Sequence, residues 1–291
     1  MTSTTAPTTT TFRRLVTAGD GTLSTETAAL PEPGPGEVRI RVRAAGITPA
    51  DLGVRDGFFH QIGLATGSVG LGWDLAGTVD ALGPDVDAFA VGDEVLGVHD
   101  SFDAAVRGQG EAVVLPLRAV ALAPEGVPLD AAATLSLNAL TAKQSLDLLA
   151  LEPGQTLLVT GARGSVGGFA VELARLRGLE VVAVGRGDAL PTGVDGALDA
   201  AAVGADVLVA VRDGGAFVAV KDPAEPPAER GIRVTTVHTY AQPGELAELS
   251  RLAQEGRLTL HVAERFGLDE ADAAYARVAE GGLRGRVLLV P

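Results

Sequence analysis

The stretch VTGARGSVGGFAVELARLRGLEVVAVGRGD, residues 159–188, decides the fold. It opens on an apolar run, crosses the glycine-rich turn GARGSVG and continues in a segment whose apolar residues recur at helical spacing. A second apolar run, EVVAV, follows and ends just before Gly185 and Arg186. A strand, a glycine turn, a helix and a second strand in this order are typical of a dinucleotide-binding unit.

The glycine turn is predicted to bind the pyrophosphate of a cofactor. Main-chain N–H groups and the positive end of the following helix would face the anion, and glycine lets the phosphate approach the backbone. A purely structural turn between strand and helix is the alternative. The predicted cofactor-binding residues of the turn are Gly161, Ala162, Arg163, Gly164, Ser165, Val166 and Gly167.

The residue after the second strand distinguishes the two nicotinamide dinucleotides. An acidic side chain there accepts a hydrogen bond from the ribose 2′-hydroxyl, whereas a basic one suits a 2′-phosphate. Arg186 stands at this place, so the sequence favours NADPH as the cofactor. Asp188 keeps the unphosphorylated cofactor open, and a solvated surface arginine is the alternative role for Arg186.

The pattern differs on the two sides of residue 123. Short alternating runs broken by Gly and Pro come before it, while Val- and Leu-rich runs without polar alternation, such as ADVLVAVRDGG and AFVAV, alternate with helical segments after it. The predicted fold class is α/β. An irregular antiparallel β-barrel-like catalytic domain (12–122 and 257–291) joins a doubly wound Rossmann-type nucleotide-binding domain (123–256), behind a flexible Thr-rich tail (1–11).

Composition excludes several classes of partner. The 291 residues carry a formal net charge of −14 and no cysteine. Nucleic acid is not an expected partner, and disulfides and thiolate metal sites are ruled out. No run approaches the ~20 apolar residues of a membrane span, so no membrane partner is expected and the default location is cytoplasmic.

Five segments in order resemble the medium-chain dehydrogenase/reductase family, in its zinc-independent, quinone oxidoreductase-like (zeta-crystallin-like) branch. The resemblance covers nearly the whole chain. It rests on PGPGEVRIRVRAAGITPADLGVRDG, GWDLAGTVDALGPDVDAFAVGDEVLG, AATLSLNALTAKQSL, GQTLLVTGARGSVGGFAVELARLRG and the tail LAELSRLAQEGRL to GLDEADAAYARVAEGGLRGRVLLV.

The resemblance implies an NADPH-dependent reductase that delivers hydride to a quinone or an α,β-unsaturated carbonyl. Zinc relatives carry a cysteine where Thr48 stands and a His-Glu pair where Trp73 and Asp74 stand, so no metal site is expected. Thr48 would lie beside the nicotinamide, and Thr141 matches a threonine that faces the cofactor in relatives.

The segment DGFFHQIG supplies candidate substrate residues. Phe58, Phe59 and His60, with Trp73, are predicted to form a pocket for a small, flat, apolar substrate. Thr48 and His60 are the candidate catalytic residues, His60 as a proton source. A solvated loop histidine beside two core aromatic residues is the alternative. Tyr240 and Tyr275 are further possible donors, but they fall in a predicted strand end and a predicted helix, which favour packing roles.

One departure from the family bears on function. Only the short stretch GDALPTGVD separates Arg186 from the next apolar run, where relatives have a helix, a further strand and turns. A cofactor-independent lyase or cyclase on the same scaffold is therefore the second hypothesis, and a non-catalytic binding protein is the third.

The segment GIRVTTVHTY is predicted to be the outer strand of the sheet and to pair two copies as a homodimer.

Overall fold

The computed structural model describes residues 10–101, 106–221 and 225–291. The predicted tail lies outside the described residues up to residue 9. The strands are β1 (Thr11–Thr17), β2 (Ser24–Ala29), β3 (Glu37–Gly46), β4 (Val69–Gly70), β5 (Asp74–Leu82), β6 (Glu94–Val98), β7 (Ala112–Pro116), β8 (Val120–Leu122), β9 (Thr156–Thr160), β10 (Glu180–Val184), β11 (Val194–Asp199), β12 (Val211–Ala219), β13 (Arg233–Thr236), β14 (Val262–Gly267) and β15 (Arg286–Val290). The α-helices are α1 (Pro49–Arg55), α2 (Phe58–Gln61), α3 (Leu129–Ala132), α4 (Ser136–Leu149), α5 (Ser165–Leu176), α6 (Ala205–Leu208), α7 (Glu245–Gln254) and α8 (Ala271–Glu280).

The strands form one antiparallel assembly and one parallel sheet, which confirms the predicted α/β class. The larger sheet has the order β14-β15-β3-β5-β6-β8, with β7 on β3, and is antiparallel except for the pair β14 and β15. A smaller antiparallel sheet, β2-β1-β4, lies beside it. The second assembly is the parallel sheet β10-β9-β11-β12-β13. The residue boundaries of the two domains stay a prediction.

The parallel sheet is covered differently on its two faces. On one face α4 and α5 pack against Leu157 and Val159 of β9 in a large apolar cluster. On the other face Leu158 and Phe217 pack with α6 and the loops around it. Strands buried on both faces have no polar alternation, which is why β9 carries the consecutive apolar residues Leu157, Leu158 and Val159.

One predicted strand is wrong. The run ADVLVAVRDGG was expected to be a strand, but Ala205–Leu208 is a helix, and β12 runs continuously from Val211 to Ala219 through Gly214 and Gly215. An apolar run without alternation fits either structure, so periodicity alone did not separate them. A Cβ at Gly215 would lie 2.7 Å from the carbonyl oxygen of Asp195, and the register of β11 on β12 shifts between Val194 and Gly196, so the two glycines lie in a bulge of the strand.

Each edge of the parallel sheet is a strand with one neighbour in the part of the chain that the structure describes. β10 pairs with β9 at one edge, and β13 pairs with β12 at the other, as the sequence predicts for an outer strand. Among these same residues no helix combines the length and the apolar character needed to cross a membrane.

Candidate active site

The turn between β9 and α5 has the geometry of an anion site. Gly161 takes a φ of 62°, in the left-handed region that favours glycine. The N–H of Gly164 closes the turn onto the carbonyl of Gly161 at 2.8 Å, and α5 starts at Ser165. The first N–H groups of an α-helix have no partner within the helix, so those of α5 are available to an anion in front of it.

Close packing of α5 on the turn excludes a side chain at Gly167. A Cβ there would lie 2.3 Å from the carbonyl oxygen and 2.7 Å from the carbonyl carbon of Gly161. Both are backbone atoms, so the turn itself would have to move. At the neighbouring Gly168 a Cβ would lie 3.7 Å from the carbonyl oxygen of Ala162, which is an ordinary contact. Gly167 is therefore needed for helix packing and Gly168 is not.

A buried arginine lies in the cleft in front of α5. Arg286, at the start of β15, is 5% exposed and lines this cleft together with Arg163, Gly164 and Ser165. Its Nη2 donates to Oδ2 of Asp74 at 3.0 Å. Its Nε has no hydrogen-bond partner among the described residues. A buried guanidinium nitrogen without a partner, beside a helix N-terminus, is a donor suited to a phosphate.

The partner of Arg286 is itself fully buried. Asp74 accepts the main-chain N–H of Leu137 at Oδ1 and an amide hydrogen from Asn138 at Oδ2, 3.4 Å away. Burial raises the pKa of Asp74 to about 6, against the lowering effects of Arg286 and of the Leu137 N–H. This carboxyl group ties β5, α4 and β15 together behind the cleft.

Ionisation of Asp74 is expected to make stability depend on pH. The folded-state pKa of about 6 lies above the ordinary 3.8, so the native state keeps a proton that the unfolded chain has lost. The stabilisation is complete below about pH 4 and is lost as the pH rises to about 6, by about 3 kcal/mol. Urea unfolding measures the free energy of unfolding of the wild type and of Asp74→Asn. The difference between the two should fall as the pH rises from about 4 to about 6. A difference that is independent of pH would contradict the prediction.

Arg186 lies close to the glycine turn. The N–H of Ala162 donates to the carbonyl of Val184, the last residue of β10, at 3.4 Å. Arg186 follows two positions later, and its side chain is exposed. The carboxylate of Asp188 turns back instead and accepts the N–H of Gly185 at 2.8 Å. One oxygen of Asp188 is therefore engaged in a tight turn, while Arg186 is exposed to solvent.

Thr48 is the N-cap of α1. Its hydroxyl donates to Oδ2 of Asp51 at 2.7 Å and accepts the Asp51 N–H at 3.1 Å. Asp51 in turn accepts the N–H of Thr48 at 2.7 Å, which completes a buried capping box. A contact between Thr48 and a cofactor stays a prediction, and it requires the hydroxyl to exchange this partner.

Thr141 holds the loop that follows β13. Its hydroxyl donates to the carbonyl of Leu137 at 2.7 Å and pairs with the hydroxyl of Thr239 at 2.8 Å. The side-chain amide of Gln144 also donates to the carbonyl of Tyr240 at 2.8 Å. This loop lies at the carboxyl edge of the parallel sheet, where ligands of such sheets bind. The cofactor contact of Thr141 stays a prediction.

The predicted substrate residues are partly brought together. Phe59 and Trp73 are buried in one apolar cluster and pack edge to face, with ring centroids 6.1 Å apart and 82° between the planes. Phe58 belongs to the short helix α2 and its ring is half exposed. These aromatic faces suit a flat ligand, but a common pocket for them stays a prediction.

His60 is held by its surroundings. Its Nε2 lies 2.8 Å from the carbonyl oxygen of Gly67, so in the neutral ring this nitrogen carries the proton. A Cβ at Gly19 would lie 2.2 Å from Nδ1, so the ring rests against the backbone at Gly19. Acting as a proton source would require His60 to leave the Gly67 carbonyl, and that role stays a prediction.

The comparisons with known proteins agree with this architecture. An alcohol dehydrogenase GroES-like domain matches residues 34–124, and a zinc-binding dehydrogenase domain matches residues 170–289, more than two thirds of the chain together. A quinone oxidoreductase of Pseudomonas aeruginosa is 36% identical over 152 residues, 52% of this chain and 45% of that enzyme. The chain belongs to the medium-chain dehydrogenase/reductase family. Within it, the similarity is to the quinone oxidoreductase-like members.

Other relatives extend the comparison. The pikromycin polyketide synthase component PikAII of Streptomyces venezuelae is 40% identical over 177 residues, 58% of this chain and 4% of the synthase component. The chain therefore spans less than half the length of each of these two curated relatives. The quinone oxidoreductase of Coxiella burnetii superposes with a TM-score of 0.84 at 24% identity, covering 97% of this chain and 100% of that one. The CurK enoyl reductase gives 0.80 at 22%, covering 96% and 99%. At these levels of identity, the two structures show only that this chain shares their fold.

The position where zinc-dependent members of the family bind their metal carries other groups here. Trp73 is covered by the guanidinium of Arg107, whose Cζ lies 3.7 Å from the ring centroid. A cation stacked on the indole disfavours a second cation beside it. In residues 10–101, 106–221 and 225–291 no group of three or more His, Asp or Glu side chains is arranged to hold a metal ion.

One functional residue was missed from the sequence. Arg286 was not singled out, although a charged residue at the start of the buried run RVLLV is a visible signal. Tyr275, a possible donor for which the sequence favours a packing role, is buried in α8 and donates to Oε1 of Gln109 at 2.6 Å. Burial, followed by the nearby carboxylate of Asp51, raises the pKa of Tyr275 well above its usual value.

Proposed function

We propose that this chain is an NADPH-dependent, metal-free reductase that delivers hydride to a quinone or an α,β-unsaturated carbonyl. The observation that carries the proposal is the glycine turn at the N-terminus of α5, with the same cleft lined by Arg286, a buried arginine whose Nε has no hydrogen-bond partner among the described residues. The comparisons support the choice of acceptor, since one relative is a quinone oxidoreductase and one structural neighbour is an enoyl reductase.

The residues of the cleft fit a dinucleotide. The cradle has no side chain at Gly161 and Gly164, and its neighbour Arg286 supplies a buried donor. When bound, the reduced nicotinamide supplies the hydride. The N–H groups of α5 and Arg286 would hold the pyrophosphate, and Thr141 would orient the ring end of the cofactor.

The acceptor must be activated without a strong Lewis acid, because Thr48, Trp73 and Asp74 replace the zinc ligands and the residue beside them in zinc-dependent relatives. A quinone or an enone is already polarised, so hydrogen-bond donors suffice to stabilise the negative charge that develops on its oxygen. Thr48 and His60 are the proposed donors. Phe58, Phe59 and Trp73 would contact the flat substrate.

Arg186 is proposed to contact the 2′-phosphate of NADPH. Because its side chain is exposed, this ion pair is worth about 1 kcal/mol, or about fivefold in affinity. Replacing Arg186 by Ala should therefore weaken NADPH binding about fivefold and change NADH binding less than twofold, measured by calorimetry. Equal losses for the two cofactors would contradict the assignment and leave Arg186 a surface residue.

A homodimer through β13 is also proposed. This strand lies at the edge of the parallel sheet and its residues Val234, Thr235 and Thr236 are β-branched, so pairing with a second copy would continue the sheet. Light scattering should give a dimer mass for the wild type and a monomer mass for Val234→Pro, with circular dichroism showing that the variant is folded. A monomeric wild type would contradict this pairing.

The second candidate function is a cofactor-independent lyase or cyclase, favoured by the nine-residue connection from β10 to β11. The test of the main proposal also separates the two. Purified protein is titrated with NADPH and then mixed with NADPH and a series of quinones and enones. Binding and consumption of NADPH are expected. Turnover of a substrate in the absence of any nicotinamide would favour the lyase.

A further inference from the structure

The chain passes from β10 to β11 without a helix. β10 ends at Val184 and β11 begins at Val194, and the two strands lie on opposite sides of β9. The usual order of a doubly wound dinucleotide-binding sheet is 3-2-1-4-5-6, built from two mononucleotide-binding halves. Here β9 and β10 take positions 1 and 2, and β11, β12 and β13 take positions 4, 5 and 6. In the described part of the chain, position 3 has no strand, so β10 is the outer strand.

This places the shortening in one half of the site. The half formed by β11, β12 and β13 has all three of its strands, and the loop after β11 is fixed by Asp199, which accepts the N–H of Gly204 at 2.7 Å. The half formed by β9, α5 and β10 ends at the edge strand. In a full sheet the half that contains β9, α5 and β10 holds the adenosine nucleotide, because it carries the glycine turn and the residue that faces the adenosine ribose.

The segment after β10 folds back at once. Gly185 donates its N–H to Asp188, and the N–H of Asp188 donates to the carbonyl of Gly185 at 3.3 Å. The five residues 186–190 that follow are all exposed. The segment therefore offers an adenine ring no enclosing wall beyond the end of β10, where a third strand and its helix would stand in the complete fold.

The phosphate end of the cradle is unaffected by this shortening. The turn from Gly161 to Gly167 is closely packed, and Arg286 reaches the cleft from β15, in the other sheet. Binding free energy would therefore come from the phosphate and the nicotinamide side of the ligand.

We infer that the site recognises the nicotinamide ribose and the adjacent phosphate, and that it leaves adenosine in solvent except for a contact between Arg186 and a 2′-phosphate. Reduced nicotinamide mononucleotide, which lacks the adenylate half, then belongs to the ligands of this protein. The inference rests on the proposed function, because it concerns the same cofactor site.

The test compares direct binding of NADH and reduced nicotinamide mononucleotide by calorimetry. The two differ only by the adenylate group. A dissociation constant for the mononucleotide within about tenfold of that for NADH is expected, because only exposed contacts are lost. A larger loss would show that adenosine is recognised and would overturn the inference. If neither ligand binds, the proposed function fails, and the inference fails with it.

A pair of substitutions tests the same point from the protein side. Leu190 and Val203 lie in the loops after β10 and β11 and are 37% and 46% exposed, so they are two apolar side chains that an adenine ring could contact. The double variant Leu190→Ser, Val203→Ser should bind NADH within twofold of wild type. A loss of tenfold or more for NADH, with binding of the mononucleotide unchanged, would show that the adenine is held there and would overturn the inference.

Discussion

With Gly164 replaced by Asp, we expect the protein to fold normally and to lose NADPH binding at least a hundredfold. Gly164 is the N-cap of α5 and has an extended backbone, φ −80° and ψ 173°, which any residue adopts. Asp is a preferred N-cap residue, so the helix is not weakened. A Cβ there would meet only the carbonyl oxygen of Gly161, at 3.2 Å, which requires a shift of a few tenths of an ångström.

The loss has an electrostatic cause. The new carboxylate would occupy the position of the phosphate, and two unit charges about 4 Å apart near a protein surface repel by about 4 kcal/mol. A hundredfold loss corresponds to about 2.7 kcal/mol, so the expectation is conservative. Gly164→Ser is the matched control, because it adds a neutral N-cap side chain and should keep the affinity within about tenfold. Calorimetry measures the affinity of each variant for NADPH, and thermal melting shows whether the variant is folded. Unchanged affinity in a folded Asp variant would place the phosphate elsewhere.

Replacing either of two adjacent glycines of α5 by alanine should change the stability of the protein in opposite directions. Gly167→Ala puts a methyl group 2.3 Å from the carbonyl oxygen of Gly161, and the overpacking should lower the free energy of unfolding by about 3 kcal/mol. Gly168→Ala makes only an ordinary contact and replaces a glycine inside a helix, so it should raise the free energy of unfolding by up to about 1 kcal/mol.

Urea unfolding of the two variants measures this difference of about 4 kcal/mol directly. Each variant is the control for the other, because both add one methyl group to the same turn of the same helix. If the two variants were equally stable, the close packing of α5 on the turn would not exist in solution.

The fold was predictable where local pattern and topology agree. The unit from β9 to β10 follows from a glycine turn between two apolar runs, and β13 could be placed at the edge of the sheet from its position in the chain. The segment around α6 was not predictable, because Val207, Leu208 and Val211 fit either a helix or a strand in sequence. There the tertiary contacts decide: Arg230 donates to the carbonyls of Leu208 and Val211, both at 2.7 Å.

The candidate site was predictable only in part. The turn and Arg186 belong to one strand–turn–helix–strand unit, so a motif could place them together. Arg286 and Asp74 are far apart in sequence and meet only because β15 and β5 both pair with β3. The partners of Thr48 and His60 are side-chain and backbone atoms of specific loops, which no sequence pattern supplies.

Transfer of deuterium from NADPH to the acceptor tests the central proposal most directly. The protein is incubated with NADPH deuterated at one of the two C4 positions and an α,β-unsaturated ketone, and the product is examined by mass spectrometry and NMR. We predict one deuterium at the β-carbon of the saturated ketone, from only one of the two labelled cofactors. A product without deuterium from either cofactor, or no conversion with any acceptor while NADPH remains bound, would contradict hydride delivery by this protein.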